Sequence, residues 1–318
     1  MKIVCIPGCL GCIGSYVTRT CLERGWQVMG IDSITYAANE KSLQEFLTYE
    51  ENFRFLKKDI CDLDYLPDCD YVINLSAETH VGNSIINSDP FMKSNVLGVQ
   101  NLLNLIKDKP VNVNNKPILI QFSTDEVYSD ILEGYHTETA PLKPSNPYSA
   151  SKAAADMLIH AWNRTYGVDY IILRPTNNYG EYQYPEKLIP LSVKILQRGK
   201  KIRLHNKGEP KRNWLHCQDT TDAVMAVIDA GVKNEIYNIA GNSEQTNRYT
   251  VERIIDAYFQ NQPVNYEDYL DLSHVREGQD VRYALDDSKL QKLGWKAVKK
   301  FDEEIPGLVQ HYKRNFRW

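Results

Sequence analysis

The segment from Lys2 to Asp32 leaves this chain few folds to choose from. Lys2–Ile6 is a short, mostly apolar run of the kind a buried parallel strand shows. Gly8, Gly11 and Gly14 follow at three-residue spacing, and Ser15–Arg24 then reads as a helix that stops near Gly25. A second apolar run, Trp26–Ile31, closes on Asp32. Strand, glycine turn, helix, strand and acid, in that order, make a dinucleotide-binding unit. The glycines let the backbone turn tightly and come close to a pyrophosphate. The helix N-terminus offers that group N–H donors and partial positive charge. An acid after the second strand accepts the ribose hydroxyls of adenosine and repels a 2′-phosphate, so Asp32 argues for NAD over NADP.

The same rhythm continues downstream. Tyr71–Leu75, Ile118–Phe122 and Tyr170–Leu173 read as strands, and Phe91–Ile106 and Ala153–Tyr166 as helices. The expected fold is α/β: a Rossmann-type doubly wound parallel sheet with its site at the carboxyl ends of the strands. From about Tyr182 the rhythm loosens. Val224–Val232 and Thr250–Phe259 read as helices and Glu235–Ala240 as a strand. The basic stretches Lys200–Lys201 and Lys207–Arg212 suit loops over a phosphate-bearing ligand. We expect residues 1–180 to form an NAD-binding domain that carries the catalytic residues. Residues 181–318 would form a smaller C-terminal substrate-binding lobe, partly interleaved with it.

Bulk properties exclude several classes. A net charge of −4 gives no reason to expect a nucleic-acid or anionic-membrane partner. No apolar run approaches the roughly 18 residues of a membrane span. The N-terminal run is broken by glycines too soon for a signal peptide. Seven cysteines, an odd number, suit free thiols in a reducing compartment, so a cytoplasmic location is expected. Cys9-Leu10-Gly11-Cys12 matches Cys-x-x-Cys, but no second pair at metal-ligand spacing follows, and no metal is expected.

The chemistry concentrates in two short stretches. Ser123-Thr124-Asp125-Glu126-Val127-Tyr128 sets two carboxylates side by side after the run Ile118–Phe122. Asn146-Pro147-Tyr148-Ser149-Ala150-Ser151-Lys152 then places a tyrosine four residues before a lysine, on one face if the segment is helical. Pro147 suits the start of that helix. Lys152, with a positive nicotinamide ring, would lower the Tyr148 phenol from near 10 toward neutrality, making it a base for a substrate hydroxyl. Asp125 and Glu126 would add an acid and a second base, although neighbours on a strand point to opposite faces. Solvated charges or a helix-capping acid are the plain alternative. Asp59-Ile60, after the apolar Phe53–Leu56 region, fits either an adenine contact or a surface turn.

These motifs together resemble the extended short-chain dehydrogenase/reductases, and within them the nucleotide-sugar 4,6-dehydratases typified by dTDP-glucose 4,6-dehydratase. The resemblance spans nearly the whole chain. It includes the glycine triplet, Asp32 with Ile34-Thr35-Tyr36-Ala37, and Ser76-Ala77-Glu78-Thr79-His80-Val81. It continues through the Thr-Asp-Glu and Tyr-x-x-x-Lys motifs, Asn177-Asn178-Tyr179-Gly180, Pro185–Pro190 and Arg212-Asn213-Trp214. Arg276-x-Gly278-x-Asp280-x-Arg282-Tyr283 and Leu293-Gly294-Trp295 close it.

The resemblance implies Thr124, Asp125, Glu126, Tyr148 and Lys152 as the catalytic set. Tyr148 would take the C4 hydroxyl proton, Glu126 the C5 proton, and Asp125 would protonate the departing C6 hydroxyl. NAD is the implied cofactor. Around it would lie Gly8, Gly11, Cys12, Ile13, Gly14, Asp32, Ser33, Thr35, Asp59 and Ile60 from the first strands and loops. Leu75, Ser76, Ala77, Asn95, Ser123, Tyr148, Lys152 and Asn178 would complete its site. The nucleotide sugar would be held by Thr79, Thr124, Asn177, Lys187, Leu188, Arg203, His205, Arg212, Asn247, Arg276 and Gln279, with Arg212 and Arg276 clamping the pyrophosphate. Pro7, Cys9, Cys12, Gln279 and Arg203-Leu204-His205 depart from the family pattern. The resemblance favours dTDP-D-glucose as substrate, with UDP-glucose or another nucleotide hexose, including 2-acetamido sugars, as alternatives. An epimerase or decarboxylase of the same superfamily, or a dinucleotide sensor without activity, are the rival readings. The family also implies a homodimer, formed through the helices near Phe91–Ile106 and Ala150–Tyr166.

Overall fold

The computed structural model describes residues 1–110, 116–275 and 280–315. In chain order the strands are β1 (Ile3–Pro7), β2 (Gln27–Asp32), β3 (Phe53–Lys57), β4 (Tyr71–Asn74), β5 (Ile118–Phe122) and β6 (Tyr170–Pro175). They continue as β7 (Asn177–Tyr179), β8 (Ile202–His205), β9 (Lys211–His216), β10 (Glu235–Ile239), β11 (Ser243–Thr246) and β12 (Leu270–His274). Seven of them form the main sheet, in the order β10-β6-β5-β4-β1-β2-β3. Every pairing in it is parallel.

Alternate residues of each strand serve opposite faces. Val4 and Ile6 of β1 join Val17, Cys21, Ala223 and Val227 in one core, so the helices Cys12–Glu23 and Cys217–Asp229 cover that face. Cys5, Val72 and Leu119 join Val99, Leu103, Ala155 and Ile159 on the other, beneath the helices Gly98–Lys107 and Pro147–Tyr166. Two buried faces explain why the strands read as continuous apolar runs. The strand order reverses between β1 and β4, and in such sheets a crevice opens there at the carboxyl ends.

The structure completes some sequence readings and departs from others. The helix read over Ala153–Tyr166 and the Pro147 start read for the Tyr148–Lys152 segment are one helix, Pro147–Tyr166, with Asn146 as its cap and Pro147 in the first turn. The expected helix Phe91–Ile106 is helical from Asp89 to Lys107 but widens by a π-type turn at Lys93–Leu97. Just after that turn Gly98 lies so close to Ile60 that a Cβ there would sit 2.4 Å from Ile60 Cδ1. The basic stretches around Lys201 and Lys207 flank strands: β8 pairs with β12, and β9 lies between β7 and β11. The expected strand Glu235–Ala240 is present as β10, which returns to the edge of the main sheet beside β6. A second core, around Ile189, Val193, Trp214, Val251, Ile255, Phe301 and Leu308, joins the helices Leu188–Gln197, Asn247–Tyr258 and Phe301–Arg314. No helix among the described residues is long and apolar enough to cross a membrane.

Candidate active site

The crevice is a trough in two connected parts. One part is lined by Gly8, Asp32, Ser33, Thr35, Asp59, Ile60 and Ser76. The other is lined by Cys12, Ile13, Gly14, Thr79, Ser123, Thr124, Asp125, Glu126, Tyr148, Lys152, Asn177, Asn178 and Lys187. Gly11, Ala37, Leu75 and Ala77 line both. Loops at the ends of β1, β2, β4, β5 and β6 thus bring one continuous set of candidate residues together.

The glycine loop shows why its residues are small. A Cβ on Gly14 would fall 1.9 Å from Gly8 O, and one on Gly8 would fall 2.5 Å from Leu75 C and Ser76 N. Gly8 also has φ +79°, a backbone state glycine adopts freely. These two glycines let backbone pack on backbone. Gly11 has more room, 3.4 Å to Gly8 O, and borders the trough itself. Gly11 precedes the first residue of the helix Cys12–Glu23, and its side-chain-free cap leaves the first helical N–H groups for an anion. Asp32 accepts hydrogen bonds from Leu10 N at 3.1 Å and Ile34 N at 2.8 Å. These bonds hold its carboxylate at the far end of the trough while each oxygen keeps further acceptor capacity. Backbone approach, helix terminus and oriented acid fit a dinucleotide.

The catalytic candidates sit at the other end. β5 stops at Phe122, and Thr124 caps a short 3₁₀ turn over Asp125–Tyr128, accepting from Glu126 N at 3.3 Å. Ending the strand there removes the opposite-faces objection: both carboxylates line the cavity. Asp125 is 4% exposed. Its Oδ1 accepts from Thr124 Oγ1 at 3.1 Å, and its Oδ2 has no hydrogen-bond partner among the described residues. Burial, then the neighbouring Glu126 charge, push the Asp125 carboxyl up to about 7, against the pull of Thr124 and Arg212. Burial also raises Glu126, opposed first by the Asn146 amide, which donates to Glu126 Oε2 at 3.1 Å, then by Arg212 and Lys187.

Tyr148 and Lys152 are both buried on the helix Pro147–Tyr166. The expected lowering of Tyr148 rests on Lys152 together with the nicotinamide ring; the chain's own groups act the other way. Burial pushes the Tyr148 phenol well up, Glu126 and Asp125 push it further, and only Thr124 pulls it down. Burial lowers the Lys152 ammonium to about 8, with Asp156, one turn further along the helix, working to keep it charged. Lys152 sits in low-dielectric surroundings beside Asp156, and Glu126 and Asp125 oppose a tyrosinate, so the pull on the phenol would have to come from the positive nicotinamide ring.

Other candidates have more local duties. Asn95, in the wide helical turn, accepts from Glu78 N and donates to Glu78 O and Ser151 Oγ, so its side chain braces the trough wall. Asn178 accepts from Thr220 Oγ1 and donates to Thr176 O. Lys187 Nζ donates to Thr79 O at 2.8 Å. Leu188 and Asn247 each open a helix. Arg212, from β9, donates to Asp280 O and stacks 4.7 Å over the Tyr283 ring. Arg203 and His205 lie on the exposed side of β8 and are not in the lining of the cavity that holds Tyr148. Arg276 and Gln279 lie outside the described residues. The Cys-x-x-Cys spacing has a different meaning from a paired site: Cys12 Sγ lies 3.4 Å from Cys217 Sγ, 205 positions away, while Cys9 is wholly buried.

Sequence reasoning missed Asn146 as a site residue, although the pattern Asn-Pro ahead of a helix signals a cap. It also missed the wholly buried ion pair Arg174–Asp156, at 2.9 Å, behind the site. Ser123 Oγ donates to the same Asp156 oxygen at 3.0 Å.

A model of the GDP-mannose 4,6 dehydratase family matches residues 5–307. The chain belongs to that family. The dTDP-glucose 4,6-dehydratase of Haemophilus influenzae is 38% identical, matching 99% of each chain. The low-salt glycan biosynthesis protein Agl12 of Haloferax volcanii is 35% identical over 97% of this chain and 98% of its own. Among solved structures, the dTDP-glucose 4,6-dehydratase DesIV of Streptomyces venezuelae, crystallised with NAD and TYD, superposes with a TM-score of 0.90. It is 35% identical, over 98% of this chain and 97% of that one. Both the family read from the motifs and the Rossmann-type α/β class hold.

Proposed function

We propose that this chain is an NAD-dependent hydro-lyase that converts a nucleotide-linked hexose, dTDP-D-glucose first among the candidates, into its 4-keto-6-deoxy sugar. The observation that carries the reading is the buried Asp125. A carboxyl pushed up to about 7 keeps its proton on about half of the molecules at neutral pH, and it sits beside a second carboxylate in the cavity that Tyr148 lines. Redox chemistry alone needs no such acid; an elimination does.

NAD, lying from Asp32 to the Tyr148 end, would supply the redox chemistry by accepting hydride from C4 and returning it to C6. Tyr148 Oη takes the C4 hydroxyl proton, with Thr124 beside it, and Lys152 holds positive charge close by. The resulting C4 ketone acidifies the C5 hydrogen. Glu126 removes that proton while Asp125 delivers its own to the C6 hydroxyl, which leaves as water; as hydride returns to C6, Glu126 gives its proton back to C5, and the proton Tyr148 took passes through solvent to restore Asp125. Lys187, Asn177 and Arg212 would hold the nucleotide sugar against these groups, with residues 1–180 binding the cofactor and much of 181–318 the substrate.

The relatives named above support this reading, since dTDP-glucose 4,6-dehydratases match the chain from end to end. A second copy of the chain is the partner we propose. Met92, Leu97 and Met157, on the two helical segments expected to form a dimer, are 45%, 55% and 51% exposed. We place the protein in the cytoplasm. The test is mass spectrometry after separate incubation with dTDP-, UDP-, GDP- and CDP-linked hexoses and their N-acetyl analogues. Loss of one water from a single donor establishes the reaction and its substrate together. NAD-loaded, folded protein that changes none of them refutes the reading.

A further inference from the structure

Asn146 stands where two parts of the site meet. As the N-cap of the helix Pro147–Tyr166 it accepts from Ser149 N at 2.9 Å, and its own N–H reaches Ser149 Oγ at 3.2 Å, closing a reciprocal cap. The other end of the same amide donates to Glu126 Oε2 at 3.1 Å. The orientation is not arbitrary. A backbone N–H only donates, so the atom facing Ser149 is Oδ1, and the NH₂ group is left to face a carboxylate that only accepts when ionised.

We propose that Asn146 is a positioning residue for the elimination: one end of its side chain fixes the helix that carries Tyr148 and Lys152, and the other holds Glu126 in place as the base. The inference deepens the dehydratase reading and rests on it. Among good capping residues, Ser, Thr and Asp have the acceptor but not a separate N–H donor; asparagine has both, on different atoms. That makes the residue type informative. Capping alone would be served as well by serine or aspartate.

The charges around Glu126 sharpen the point. Arg212 on β9 and Lys187 favour its ionised form, and Asp280 opposes it. Glu126 in turn raises Asp125, Tyr148 and Tyr283. Asn146 is the first of the groups that offset the burial of Glu126. Its loss therefore shifts Glu126 upward, so the base is ionised only at higher pH.

Asn146→Ser and Asn146→Asp keep a cap and remove the amide N–H group that faces Glu126, serine leaving only a shorter hydroxyl, and thermal unfolding checks that both variants stay folded. Two readouts follow. First, the Glu126 carboxyl is titrated by NMR in protein labelled at glutamate carboxyls, with Glu126→Gln assigning the signal. It is expected to move upward in both variants, and further in Asn146→Asp, where two carboxylates face each other. Second, with dTDP-glucose, reduced nicotinamide is expected to form as in the parent while water loss slows about tenfold or more. The acid limb of water loss moves to higher pH. Unchanged Glu126 titration in both variants overturns the proposal, as does a parallel fall of both steps together with the melting temperature. A parent chain that dehydrates no nucleotide hexose refutes the dehydratase reading, and the NMR titration still decides whether Asn146 holds Glu126.

Discussion

The two ends of the trough are built by different rules. The Asp32 end is backbone: one contiguous strand–loop–helix–strand unit, in which Gly14 packs on Gly8 and Asp32 is fixed by two main-chain N–H groups. The Tyr148 end is side chains gathered from separated segments, with Asp125 and Glu126 after β5, Asn146 and Tyr148 at a helix start, Lys187, and Arg212 on β9. A backbone site tolerates almost no change of shape but carries little tunable charge. A side-chain site is the reverse: its groups raise and lower one another, and each can be altered without moving the fold. The comparison says where chemistry can be varied and where it cannot.

The largest effect is expected at the side-chain end. Asp125→Asn combined with Glu126→Gln removes acid and base while keeping shape, and should lower water loss roughly a thousandfold. Oxidation at C4 should persist, visible as the near-ultraviolet absorbance of reduced nicotinamide on mixing with substrate. A double variant that dehydrates at the parent rate would remove both residues from the mechanism.

Next comes a contrast within one loop. Gly14→Ala forces a carbon to within 1.9 Å of Gly8 O and should cost about 3 kcal/mol of stability. Gly11→Ala meets Gly8 O only at 3.4 Å, so the fold should lose less than about 1 kcal/mol while NAD binds more weakly. Denaturant melts and a cofactor titration separate the two. Equal destabilisation would mean that the loop is not divided into a packing part and a binding part.

How much of this was legible follows the same divide. Lys2 to Asp32 was readable because its pieces are adjacent and each has a local signature. β5 was read to the residue, since both of its faces are buried and its run is unbroken. β8 was missed, though Ile202 and Leu204 point inward and Arg203 and His205 outward, because the flanking lysines read as a basic loop. The wide turn at Lys93–Leu97 has no local signature; the crowding of Gly98 against Ile60 that follows it comes from a distant loop. Cys12 against Cys217 and Arg174 with Asp156 are likewise facts of tertiary structure. Periodicity reports which face a residue serves. It does not report which distant residue shares that face.

The pH dependence tests whether the side-chain end works as a set of coupled charges. Asp125 must be protonated to act as an acid, and its proton is lost as pH rises through about 7. Lys152 keeps its charge to about 8. Water loss should therefore fall about tenfold per pH unit above the first value, while C4 oxidation holds until the second. Between them, reduced nicotinamide should accumulate on the enzyme in stopped-flow traces. If both steps fall along one curve, a single group governs them and the division of labour between Asp125 and Tyr148 fails.

The smallest effect is expected at Asp32, and it tests the backbone end most directly. Two main-chain donors already hold this carboxylate, so Asp32→Ala removes an oriented acceptor and leaves the strand behind it intact. The loss for NAD should be about tenfold, the order of a charge-assisted hydrogen bond to the ribose. For NADP the same change also removes a negative charge that repels the 2′-phosphate, so its binding should fall less or improve. The ratio of the two dissociation constants carries the argument, because any general slackening of the loop weakens both cofactors alike and cancels. An unchanged ratio would mean that Asp32 only fastens Leu10 and Ile34, and that cofactor choice lies elsewhere in the trough.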